Sequence, residues 1–136
     1  VGLWLAGVAL EMVAIPFALD RWNAGQAAIR DEIERVVPGD EILVTNSYAT
    51  GKFLDLLDRP YPPLKHDAIG NRELAALLNR HDRVYVVLLD RTDSAYWQRQ
   101  AQENDMYVGT IRPRPISIYD EQITPTDRLR VWRVER

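Results

Sequence analysis

The run Val84-Tyr85-Val86-Val87-Leu88-Leu89 narrows the folding options of this chain more than any other stretch. Its apolar character is continuous rather than alternating, which predicts a strand covered on both faces, at home in the middle of a parallel sheet. The flanking sequence supplies the covers. Residues 24–37 place Ile29, Ile33, Val36 and Val37 on one helical face, Pro38-Gly39-Asp40 ends that helix, and Glu41 to Thr45 reads as a short strand. SYATGKFLDLLDR predicts a second helix with Phe53, Leu54, Leu56 and Leu57 inward. The proline-rich connection after it has room only for an edge element around Leu64. Asn71 is placed to cap a helix carrying Leu74, Leu77 and Leu78, with Glu73 in its first turn.

Beyond the central run, Asp93 or Ser94 is placed to cap a helix through AYWQRQAQEN. MYVGTI, PISIY and RLRVWRV read as β, the last alternating Arg130, Trp132 and Val134 against Leu129, Val131 and Arg133. This order of elements predicts an α/β fold: a small three-layer, Rossmann-like domain over residues 24–136, with a mainly parallel sheet and partly exposed antiparallel strands at the C-terminus.

Ahead of that domain lies VGLWLAGVALEMVAIPFALDRW, whose only charge up to Leu19 is Glu11. Nineteen helical residues rise about 28 Å, close to the hydrocarbon thickness of a bilayer. Trp4 and Trp22 flank the run as interfacial indoles do, so residues 1–22 are expected to form a transmembrane helix. Glu11 and Pro16 are awkward for an isolated span, and Gly7 would allow a second helix close approach, so Gly7 and Glu11 are the expected intramembrane helix contacts. A buried amphipathic helix packed on its own domain is the alternative. A secretory signal fits poorly, since no basic region opens the run. A chain that opens at Val1 within an apolar helix also reads as continuing from an upstream segment.

Composition removes several chemistries. No cysteine is present, which excludes thiolate nucleophiles, disulfides and Cys-ligated metals. The net charge is −3, from 17 basic against 20 acidic residues, and the signs are mixed along the chain, so no nucleic-acid footprint is expected. His66 and His81 lack metal-motif spacing, no serine lies in a nucleophile elbow, and no dinucleotide glycine fingerprint occurs; no cofactor is implied. NSYATGK fails as a phosphate loop, having Asn46 where a glycine is needed and Phe53 after the lysine. Asn46, Ser47 and Tyr48 are left as contacts for some polar ligand. Asp90 and Asp93 stand just past the central strand, where open α/β sheets place ligands, with His66 and Asp67 able to approach. Two carboxylates there could hold a cation or act as acid and base; the plainer account makes Asp90 a solvated strand end and Asp93 a helix cap.

Together, the apolar helix ending near Arg21, AGQAAIRDEI, PGDEILVT, FLDLLDRPY and DRVYVVLLDR resemble the C-terminal end of GT-C class membrane glycosyltransferases, which use polyprenyl-phosphate sugars. The resemblance implies a last span followed by an extracytoplasmic, periplasmic-type lobe that supports the acceptor entrance near the lipid-linked sugar. Its partners would be neighbouring transmembrane helices or membrane subunits and the bilayer. It carries over no catalytic residue, because that class keeps its acidic residue in an early loop that no position here matches; any enzyme activity would reside outside this chain. Two other functions stay open: a single-span accessory subunit of a membrane complex, and a soluble α/β binding protein.

Overall fold

Residues 24–45 and 71–136 are described in the computed structural model. They form helix α1 (24–36), strand β1 (Ile42–Thr45), helix α2 (Asn71–Arg80), strand β2 (Arg83–Arg91), helix α3 (Ala95–Thr110) and strands β3 (Ile116–Gln122) and β4 (Asp127–Glu135). α1 forms because Ile29, Ile33 and Val37 recur every four residues and bury together, and Pro38 stops it with the Val37 amide bonded back to Ile33. α2 carries Glu73 in its first turn and Arg80 in its last, each favourable to the helix dipole. Leu74 and Leu78 seat it on the sheet. The chain's last residue secures its end, Arg136 donating from Nε and Nη2 to the Leu78 carbonyl at 3.0 and 2.7 Å.

The sheet has the order β1-β2-β4-β3. β1 runs parallel to β2, whereas β2–β4 and β4–β3 are antiparallel. The expected mainly parallel, Rossmann-like sheet is therefore corrected to a mixed one. After α3 the chain does not return beside β2. It runs out to the edge as β3, turns, and inserts β4 between β3 and β2. The turn is held by Asp127, whose carboxylate accepts from the Thr124 and Thr126 hydroxyls at 2.7 and 3.0 Å. β4 is thus an interior strand rather than a partly exposed tail, and both of its sides meet a packed layer.

The two sides hold separate cores. On one, α1 covers Leu43, Tyr85, Val87, Leu89, Leu129 and Val131. On the other, α2 and α3 cover Val44, Val84, Val86, Leu88, Ile111 and Val134. Strict alternation of β2 between these cores explains its unbroken apolar run: each face of the strand is somebody's floor.

Met106 to Thr110, read from sequence as part of a strand, belong to α3. Ser94 caps this helix, its Oγ accepting from the Trp97 amide, and the stripe Asn104, Tyr107, Val108 and Ile111 has helical spacing. Met106 then points outward and is 74 % exposed. The helix is lightly seated, with Asn104 as its one fully buried residue.

The anticipated membrane architecture is also corrected: among the described residues, no helix is long and apolar enough to cross a membrane. The structure is a small mixed α/β domain with three helices and a four-stranded sheet among those residues. Residues 1–22, with Gly7 and Glu11, lie outside the described residues, as do the helix expected through Phe53–Leu57 and the edge element near Leu64.

Candidate functional site

Asp90 closes the buried stretch of β2, on the face beneath α3, and it is neither solvated nor available. Its Oδ1 accepts from Asn104 Nδ2 at 2.7 Å, and its Oδ2 accepts from Arg130 Nε at 2.6 Å. Arg130 Nη2 sits 2.6 Å from the same Oδ2 as an ion pair without a hydrogen bond. Side-chain exposure is 1 % for Asp90 and 7 % for Arg130. A carboxylate buried this deeply persists because a guanidinium and an amide replace its water. Both of its oxygens are engaged within the fold, so Asp90 is not the solvated strand end of the plainer sequence reading.

Asp93 is held elsewhere. Arg91 grips it at 2.7 Å through both Nε and Nη2 and lies over the Trp97 ring, 5.7 Å from its centroid, while Ser94 takes the cap. The two aspartates are thus assigned to different arginines. Among the described residues no cluster of three or more His, Asp or Glu could hold a metal ion. Asn46, Ser47, Tyr48, His66 and Asp67 lie outside the described residues.

Arg130 leads to a site that the sequence reading missed. Its Nη1 donates to the Asp105 carboxylate on α3, and its guanidinium lies 5.0 Å over the Trp132 ring, two residues along the same face of β4. Beside this group opens a groove of about 630 Å³, lined by Asp105, Val108, Arg112, Arg114, Ser117 and Trp132. Arg112 curls back onto the end of α3, with Nη1 donating to the Gly109 and Ile111 carbonyls at 2.9 and 2.7 Å. Neither Arg112 nor Arg114 forms an ion pair with a carboxylate among the described residues, in contrast to the arginines at 30, 35, 83, 91, 128, 130 and 133. The signal in the sequence was Arg112-Pro113-Arg114-Pro115, two cations spaced by prolines immediately before a strand.

Comparison with family models, with curated proteins and with solved structures finds no match for this chain. The likeness to GT-C glycosyltransferases is withdrawn accordingly. With it go the last-span assignment, the extracytoplasmic placement, and the expected partners: neighbouring membrane helices or subunits, the bilayer and a polyprenyl-phosphate sugar.

The opposite face of the sheet carries a second groove, between α1 and β3, with Glu32, Arg35 and Tyr119 at its floor. Arg35 and the Tyr119 hydroxyl both donate to Glu32 Oε2, at 2.7 and 2.8 Å. The Arg35 hydrogen bond, then that of Tyr119, holds the Glu32 carboxyl below its usual range. Burial, then the adjacent Glu32, pushes the Tyr119 phenol up to about 12. Because the folded state favours the neutral phenol, the contribution of Tyr119 is whole below the ordinary tyrosine range near 10 and is lost as pH rises toward about 12. The Glu32 contribution has the opposite sense, present above 4.5 and lost as pH falls through the lowered value. Thermal unfolding followed from pH 9 to 12 is expected to fall less steeply in Tyr119→Phe than in the wild type; identical slopes would contradict the pairing.

Proposed function

We propose that this domain is a ligand-binding module, and that its binding surface is the groove between the C-terminal half of α3 and strands β3 and β4. The observation that carries this reading is that two guanidinium groups without carboxylate partners among the described residues, Arg112 and Arg114, line one groove with the half-buried indole of Trp132. Guanidinium groups present a planar donor fork to carboxylate or phosphate, and an indole face offers apolar area beside it. The volume lies within the range of small-molecule sites, about 300–1,000 Å³. The overall acidity of the chain disfavours extended polyanions, so the ligand is small.

Titration of the domain with inorganic phosphate, benzoate and phenyl phosphate, followed in amide and indole ¹H–¹⁵N spectra, tests the reading. Shifts are expected at the Trp132 indole, Ser117 and residues 105–114, and Arg114→Glu is expected to weaken binding about tenfold or more. Shifts confined to other surfaces, or an unchanged affinity in Arg114→Glu, would overturn it.

A further inference from the structure

Resting on that groove reading, we infer that the ligand is a planar ring bearing a carboxylate or phosphate, and that its oxyanion takes the place of Asp105 on Arg130. Arg130 stands between two unequal carboxylates. Asp90 is sealed, with each oxygen already bonded, by Asn104 and by Arg130 itself. Asp105 is 60 % exposed, lines the groove, and has Arg130 as its partner among the described residues. Only one of the two carboxylates can leave without stranding a buried charge, and that one already sits where an incoming anion would arrive.

Asp105 therefore acts as an internal stand-in for the ligand's acid group. An ion pair with one member so open to water is weak and easily exchanged. Once Asp105 swings into solvent, an oxyanion at Arg130 Nη1 takes the place of a side chain that lines the groove, which Arg112 and Arg114 also line, while Asp90 continues to neutralise Arg130. The ring requirement follows from geometry. The Arg130 guanidinium lies 5.0 Å over the Trp132 ring, so a group attached to an oxyanion bound there is brought alongside the indole. A flat ring meets that surface with the least loss of conformational freedom.

The test compares dissociation constants of phenyl phosphate, benzoate, inorganic phosphate and phenol for the wild type, Asp105→Asn, Asp105→Ala and Arg114→Glu. Removing the internal competitor is expected to tighten phenyl phosphate and benzoate about fivefold. Phenyl phosphate should exceed both inorganic phosphate and phenol, since each lacks one half of the recognised group, and the comparison of phenyl phosphate with benzoate identifies which oxyanion is preferred. If Arg114→Glu weakens binding while both Asp105 variants bind no tighter than the wild type, the exchange is wrong and the groove stands. Equal affinity for inorganic phosphate and phenyl phosphate would overturn the ring requirement. If no probe binds any of the proteins, the groove reading fails and this inference fails with it.

Discussion

Arg130→Ala is expected to lower the free energy of unfolding by about 3–5 kcal/mol, measured by urea denaturation at neutral pH, because it leaves the Asp90 carboxylate buried without its cation. Asn104 alone would then face that charge, from the Oδ1 side. Asp105 contributes little to the loss, since it lies mostly in water and is solvated when Arg130 is gone. The Trp132 contact adds a further loss of about 0.5–1 kcal/mol. A change below about 1 kcal/mol would place Arg130 among ordinary surface arginines and contradict the burial of the pair.

The large cost of breaking the pair does not mean that the pair itself stabilises the fold by that amount. Desolvating two charges offsets most of their attraction, so Asp90→Leu combined with Arg130→Met is expected to recover much of what Arg130→Ala loses. Recovery should stop short by roughly 1–3 kcal/mol, because the buried Asn104 amide loses its acceptor. Adding Asn104→Leu should close that gap. What the ionic group supplies in return is placement: it ties α3, which has one buried residue of its own, to β2 through Asn104 and Asp90 and to β4 through Asp105 and Arg130, beside the groove.

Which parts of this could be read from the sequence depended on whether a local pattern had one physical solution. Val84–Leu89 had one, a strand buried on both sides, and Ile29, Ile33 and Val37 had one, a helix with a single apolar stripe. Strand direction had no such signal. Nothing in Leu129–Val134 states whether the strand pairs beside β2 or lies at an edge, because alternation satisfies either place. MYVGTI misled because four of its residues, Tyr107, Val108, Thr110 and Ile111, favour strands locally, whereas the bonding of Ser94 to Trp97 and the stripe from Asn104 to Ile111 keep the helix running. The charged site was hidden for a related reason. Asp90, Asn104 and Arg130 are separated by 14 and 26 residues, or 40 end to end, and no spacing rule joins them; the sheet does.

Ile33→Ala and Leu74→Ala, combined, should bring the domain to the edge of unfolding at 25 °C. Each residue is almost wholly buried, Ile33 from α1 in one core and Leu74 from α2 in the other, and each truncation alone should cost about 2–5 kcal/mol through lost burial and the cavity left behind. The two cores share no side chain, since the sheet stands between them, and substitutions without common partners add within about 0.5 kcal/mol. The sum is comparable to the whole stability of a domain of this kind, roughly 5–15 kcal/mol. The milder pair Ile33→Val and Leu74→Val keeps the protein folded, so additivity can be read there from denaturant midpoints. A strong departure from additivity would mean that α1 and α2 communicate through a bending sheet. Additivity with one cooperative transition means instead that β2, floor to both cores, makes two independent packings unfold as one.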